Sequence, residues 1–118
     1  MKVLLVDDSA TMRKVIGLAL KSGNYDYIEA ENGEDALKKL ENDKFDFFLI
    51  DVNMPGINGI DLVKEIRKMN IYTKTPIIIL TTESNESLKK EGKLAGADDW
   101  IVKPFQKEEL LEVMKEKL

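Results

Sequence analysis

Val3-Leu4-Leu5-Val6-Asp7-Asp8, near the start of the chain, sets a pattern that recurs three more times: a short apolar run that stops on a carboxylate, a hydroxyl or an ammonium. Phe47-Phe48-Leu49-Ile50 stops on Asp51, Ile77-Ile78-Ile79-Leu80 on Thr81, and Trp100-Ile101-Val102 on Lys103. Runs that are apolar throughout fit strands buried on both faces, as parallel sheets require. If they lie side by side in one parallel sheet, three carboxylates, a hydroxyl and an ammonium meet along a single edge.

The intervening segments switch to helical spacing. Met12, Val15, Ile16, Ala19 and Leu20 form one stripe, with Ser9 or Asp8 able to cap its start and Gly23-Asn24 ending it. Tyr25 to Ala30 is the weakest of five strands, and Asn32-Gly33 leads into a helix carrying Ala36, Leu37 and Leu40. After Asp51 comes the loop Asn53-Met54-Pro55-Gly56-Ile57-Asn58-Gly59, then a helix with Ile60, Val63 and Ile66 on one face. Thr75-Pro76 introduces the fourth strand. A fourth helix, around Ser87 to Ala95, has a thin stripe of Leu88, Leu94 and Ala95 and closes at Gly96; a last helix bears Leu111, Met114 and Leu118. Five β-α units of this kind predict an α/β fold, a doubly wound parallel sheet with helices on both faces. Right-handed crossovers bring all strand C-termini to one edge, where such sheets bind ligands.

The composition narrows the chemistry. A length of 118 residues fits one domain, 1–118, with one core. No apolar run is long enough to span a bilayer, and Met1-Lys2 leads straight into a strand rather than a signal peptide; the expectation is a cytoplasmic protein with no membrane attachment. Cysteine and histidine are both absent, which removes disulfides, the usual zinc sites and any imidazole base or phosphate carrier. The net charge of −4 argues against nucleic acid as the main ligand. Lysines interleave with glutamates, as in Lys89-Lys90-Glu91 and Lys107-Glu108-Glu109, the pattern of a solvated helix face.

Each residue at the edge has an ordinary structural reading as well. An Asp before a helix is commonly an N-cap, and one after a strand commonly starts a turn. Lys103 can be a lysine snorkelling from a buried strand, and Thr81 belongs in a strand on propensity alone. Taken together they say more. Carboxylates crowded together repel unless a cation compensates them, and an oxygen-only donor set without His or Cys suits Mg²⁺ or Mn²⁺. Lys103 can then serve as a point charge for phosphoryl oxygens, and Thr81 as a hydroxyl that bonds them only while they are present. Pro104 after Lys103 leaves open a cis or a trans peptide.

With the pair Asp7-Asp8, the segment Asp51-Val52-Asn53-Met54-Pro55-Gly56, Thr81 and Lys103-Pro104-Phe105 in this order, the chain resembles the receiver domains of bacterial two-component response regulators, nearest to the stand-alone chemotaxis type. The resemblance spans the whole chain. It implies a flavodoxin-like (βα)5 fold with strand order 2-1-3-4-5, an order known for chemotaxis receivers and carried over from them. The chain stops at Leu118 with the fifth helix complete, and the expectation is a single receiver domain with no effector domain.

By the same resemblance, Asp51 is the phosphoacceptor and a histidine kinase, CheA-like, is the donor. Asp8 and Asp51 ligate Mg²⁺ (or Mn²⁺) directly, the Asn53 backbone carbonyl adds a ligand, and Asp7 binds through water. Lys103 contacts the phosphoryl group and Thr81 swings toward it. Asn53 and Glu83 tune the lifetime of the phosphate, although Glu83 also reads as a solvated residue before a helix. Trp100 stands where the family carries tyrosine or phenylalanine, and is either a switch aromatic or an edge-strand residue packed on a helix. The domain would catalyse only its own phosphorylation and dephosphorylation. It would signal, as a monomer, through the face of the fourth helix, fifth strand and fifth helix, with a flagellar motor switch protein as target or, alternatively, as a phosphorelay intermediate.

A small phosphatase of the haloacid-dehalogenase type also uses Asp, Mg²⁺, Thr/Ser and Lys. Such enzymes carry a second acid two residues after the nucleophile, where this chain has Asn53. A flavin-binding protein of the same topology lacks support, because no Gly/Ser/Thr phosphate loop follows the first strand.

Overall fold

The computed structural model describes residues 1–118. Its elements are β1 (Lys2–Val6), α1 (Ala10–Ser22), β2 (Asp26–Ala30), α2 (Gly33–Asn42), β3 (Phe47–Ile50), α3 (Gly59–Arg67), a 3-10 turn (Asn70–Tyr72), β4 (Ile77–Thr81), α4 (Glu86–Ala95), β5 (Asp99–Val102) and α5 (Lys107–Glu116). All neighbouring strands are parallel, in the order β2-β1-β3-β4-β5. Both the alternation and the strand order match expectation. No helix is long and apolar enough to cross a membrane.

The apolar strand runs exist because both faces of the sheet are covered. Val3, Leu5, Phe47, Leu49, Ile78, Leu80 and Ile101 pack with Ile16, Ala19 and Leu20 of α1 and with Leu110 and Met114 of α5. The alternate residues Leu4, Val6, Phe48, Ile50, Ile77 and Ile79 face the other way, onto α2, α3 and α4. Helices change face between β1 and β3, so the C-terminal ends of these two strands flank a crevice. Side-chain caps start four helices: Ser9, Asn32, Asn58 and Asn85 accept backbone N–H groups of Met12, Asp35, Asp61 and both Ser87 and Leu88. Each such cap is worth about 1 kcal/mol.

Several expected core positions are displaced. Val15 is 48% exposed, because the buried stripe of α1 runs through Ile16, Ala19 and Leu20 and Val15 lies about 100° away from Ile16. Leu94 is 84% exposed, since α4 turns Gly92 inward with Leu88 and Ala95, and Leu94 falls roughly 200° from Gly92. In α5 the buried pair is Leu110 and Met114; the helix ends at Glu116 and Leu118 beyond it is 58% exposed. Tyr25 lies in the turn before β2 rather than in the strand. The 3-10 turn was not foreseen: its Tyr72 hydroxyl accepts the Phe45 N–H at 3.2 Å and its ring meets Phe48 edge-on, 5.0 Å between centroids.

Candidate functional site

The register of the sheet assembles the site. Val6 pairs with Ile50, so Asp7 and Asp51 emerge side by side; Ile50 pairs with Ile79, and β4 runs two residues further, to Thr81. The Asp51 N–H donates to the Val6 carbonyl at 2.9 Å, the Asp7 N–H to Ala30 at 3.1 Å, and the Lys103 N–H to Thr81 at 2.8 Å. Ladder bonds thus continue one residue past the strands and fix the backbone of Asp7, Asp51 and Lys103.

Ser9, not either aspartate, caps α1, which leaves Asp7 and Asp8 free of that role. Asp7 is 1% exposed and Asp51 8%, whereas Asp8 faces solvent. Carboxylate oxygens of all three lie within 4.8 Å of one another. Lys103 Nζ, with its side chain 8% exposed, reaches Asp7 Oδ2 at 2.6 Å and Asp51 Oδ2 at 3.4 Å. The second Asp7 oxygen accepts the Ser9 N–H at 2.9 Å. One ammonium therefore touches two of the three carboxylates, and the cluster retains an excess of negative charge. An open cleft of about 520 Å³ runs beside it, lined by Ser9, Met12, Val15, Thr82, Pro104 and Phe105 besides the charged residues. The Lys103-Pro104 peptide is cis.

The remaining predicted residues stand around this group. Asn53 donates its N–H to Asp51 Oδ1 at 3.3 Å and its Nδ2–H to Glu83 Oε1 at 3.0 Å. Thr81 is fully buried at the end of β4; its hydroxyl accepts a long contact from the Glu83 N–H at 3.5 Å and bonds none of the three aspartates or Lys103. Trp100 is half-buried against the core, and its indole N–H donates to the Glu83 carbonyl at 2.8 Å.

Three residues outside the predicted set shape the site. Gly59 begins α3 with its N–H on Val52 at 3.0 Å, and a Cβ there would collide with the Asp51 carbonyl; only glycine lets α3 approach this closely. The glycine following the Asn58 cap is its one trace in the sequence. Arg13 donates Nη1–H to the Asp7 carbonyl at 2.7 Å and Nε–H to Glu29 at 2.9 Å, pinning the turn after β1. Thr82 lines the cleft where Thr81 does not.

The model of the response regulator receiver domain matches residues 3–115. The chain belongs to this family. Among its relatives, the chemotaxis protein CheY1 of Helicobacter pylori (strain J99) is 43% identical over 120 residues, covering 100% of this chain and 94% of that protein. The transcriptional regulatory protein ResD of Bacillus subtilis is 41% identical over 110 residues, but this chain spans only 45% of its length. Among solved structures, chemotaxis protein CheY4 of Vibrio cholerae superposes with a TM-score of 0.94 at 42% identity, covering 99% of this chain and 98% of that one. The response regulator TrrA of Thermotoga maritima, solved in complex with Mg(2+)-BeF, gives 0.88 at 37% identity, covering 99% and 98%.

As a receiver domain of the CheY type, the protein is a phosphorylation-activated switch. Receiver domains bind Mg²⁺ at an acidic pocket, and the cluster of Asp7, Asp8 and Asp51 fits such an ion: its donors are oxygens only, and one ammonium leaves their charge incompletely balanced.

Proposed function

We propose that Asp51 accepts a phosphoryl group from the phosphohistidine of a histidine kinase and that the chain reports it to a protein target in chemotaxis. The observation that carries this reading is the bridge of Lys103 Nζ between the buried carboxylates of Asp7 and Asp51. It is an ammonium already placed at the nucleophile, where charge on an arriving phosphoryl group needs it.

An Asp51 carboxylate oxygen attacks phosphorus in line, a new O–P bond forms, and the N–P bond to the donor imidazole breaks with its electron pair returning to nitrogen. Lys103 neutralises charge on the phosphoryl oxygens, while Asp7 holds the ammonium in place. Asp8, Asp51 and the Asn53 backbone carbonyl would hold Mg²⁺, with Asp7 acting through water; the ion supplies further neutralisation of phosphoryl charge. Water later hydrolyses the acyl phosphate, so the chain catalyses only its own phosphorylation and dephosphorylation. Asn53 and Glu83 border the acyl phosphate and set its lifetime.

Thr81 turns toward the phosphate once it is present, and the signal leaves through the face of α4, β5 and α5. The chemotaxis assignment draws support from relatives named as chemotaxis proteins that match over nearly their full length, and the metal from the Mg(2+)-BeF complex of TrrA. A flagellar motor switch protein is the target this reading favours.

The test is intact-protein mass after incubation with acetyl phosphate and Mg²⁺. Wild type should gain one labile phosphate and Asp51→Asn none. Absence of the gain in wild type defeats the reading, as would steady turnover of a simple phosphate ester that is lost in Asp51→Asn.

A further inference from the structure

The chain contains two Asn-Gly steps, Asn32-Gly33 and Asn58-Gly59. Glycine after asparagine leaves the following amide nitrogen unhindered, so that it can attack the asparagine side chain. The two steps start from closely similar geometry. Both asparagines cap helices, accepting the Asp35 N–H at 2.8 Å and the Asp61 N–H at 3.0 Å. Both are extended, with ψ of 179° and 167°. Exposure ranks them one way: Asn58 is exposed and Asn32 half-buried.

The amide that must attack ranks them the other way. The Gly59 N–H donates to the Val52 carbonyl at 3.0 Å, and not even a Cβ would fit between Gly59 and the Asp51 carbonyl at the end of β3. That nitrogen loses its proton only after the bond breaks, and it cannot turn toward Asn58 without displacing the edge of the sheet. The Gly33 N–H, by contrast, donates to no protein acceptor. Its neighbour is a side chain of the loop after β3, Ile57, whose Cβ would stand 2.7 Å from a Cβ on Gly33.

We infer that Asn32 is a site of spontaneous deamidation, while the fold protects Asn58. The Gly33 nitrogen gives its proton to hydroxide and attacks Asn32 Cγ, and the new N–C bond closes a cyclic imide. The bond from Cγ to the side-chain nitrogen breaks, and that nitrogen takes a proton from water and leaves as ammonia. Water then opens the imide at either carbonyl, leaving aspartate or isoaspartate. Aspartate keeps the cap and adds a negative charge at a helix N-terminus, where it is favourable. Isoaspartate puts an extra methylene into the main chain between β2 and α2. It shifts the first turn of α2, on which the loop after β3 rests: Gly33 lies against Ile57, and the Glu34 carboxylate beside Gly56. Deamidation through isoaspartate thus unseats the loop that follows Asp51.

The test is peptide mass spectrometry of the whole protein aged in mildly alkaline buffer, once folded and once in urea. Trypsin places the two sites in separate peptides, 22–38 and 45–64, and fragmentation locates each amide-to-acid change. The rates in urea give the baseline set by local sequence. Relative to it, folding should slow Asn58 at least roughly fivefold more than Asn32, the worth of one hydrogen bond. Equal protection of the two sites, or stronger protection of Asn32, overturns the inference. So does folded protein that keeps its Asn32 amide through an incubation that removes it in urea. The aged forms, separated by chromatography, are then melted beside Asn32→Asp. The isoaspartate form should melt below fresh protein and Asn32→Asp at or above it. An isoaspartate form as stable as Asn32→Asp overturns the effect on the loop.

Discussion

Replacing Lys103 by methionine in metal-free protein isolates what the ammonium does for the cluster. Methionine keeps most of the stem and removes the charge. The ammonium lies 2.6 Å from Asp7 and 3.4 Å from Asp51, with 8% of its side chain exposed. At an effective dielectric constant of ~20 each contact is worth about 5–6 kcal/mol of gross attraction. Desolvation of three nearly buried groups offsets much of this, and breaking one partner of such a buried arrangement typically costs about 3–5 kcal/mol. That is a large part of a stability of roughly 5–15 kcal/mol. With a urea slope of about 2 kcal/mol per molar, the unfolding midpoint should fall by roughly 1.5–2.5 M. The assay is urea unfolding in EDTA, followed by circular dichroism and Trp100 fluorescence. Repeating it in millimolar Mg²⁺ should narrow the gap, because a divalent ion compensates the same carboxylates. A loss below about 1 kcal/mol in EDTA would refute the argument, since it would mean that the two buried carboxylates do not need the ammonium.

Asp8→Ala should raise metal-free stability slightly, because it removes one of three crowded carboxylates, yet abolish most of the Mg²⁺-induced rise in Tm; that rise corresponds to about 2.7 kcal/mol at a hundredfold excess over Kd. An undiminished Mg²⁺ effect would remove Asp8 from the metal site. Arg67→Lys should lower Tm by roughly 10 °C in a thermal melt, because the guanidinium donates to the Gly96, Tyr72 and Thr75 carbonyls and to Asp98, and a lysine can replace only part of that set. Phe48→Ala, which empties a fully buried ring site against Tyr72 and Phe45, should cost about 3–5 kcal/mol in urea unfolding without preventing phosphorylation of what remains folded.

The strands and the edge they form were legible because a parallel sheet buried on both faces forces nearly unbroken apolar runs, and the residue after each run must sit at the ligand edge. Asp7, Asp8, Asp51 and Lys103 were visible for that reason alone. The helix faces were less so. Periodicity fixes the phase of a stripe only to about one residue, so it points Val15 and Leu94 inward although both are exposed. Gly92, the one buried residue of α4, carries no hydrophobic signal in the sequence. Arg13, Gly59 and Arg67 were silent for another cause. Their partners are mostly backbone atoms across a turn or on a neighbouring element, and no pattern of residue types announces such contacts. Thr82 has no such signal, because the apolar run of β4 stops on Thr81 and so points to that residue, whereas Thr81 is buried and its neighbour lines the cleft.

These differences in anchoring bear on how a change at Asp51 can travel. α3 buries Ile60, Leu62, Val63 and Ile66, each worth about 1.5–3 kcal/mol, and is thereby fixed to the sheet. α4 fully buries only Gly92, packs Leu88 and Ala95 partly against the core, and is held besides by polar attachments near its ends. At its C-terminal end the Gly96 carbonyl accepts two bonds from Arg67. Ahead of its N-terminal end, Glu83 is tied to Asn53 and Trp100. The attachment beside Asp51 therefore rests on a few hydrogen bonds worth about 1 kcal/mol each, less than the packing that holds α3. Under the proposed phosphorylation the Asn53 amide would be free to exchange its bond to Glu83 for one to a phosphoryl oxygen without unfolding anything. The end of α4 farther from Asp51 is clamped by Arg67, so under the proposed switch a rearrangement of the loop would pivot the helix rather than detach it.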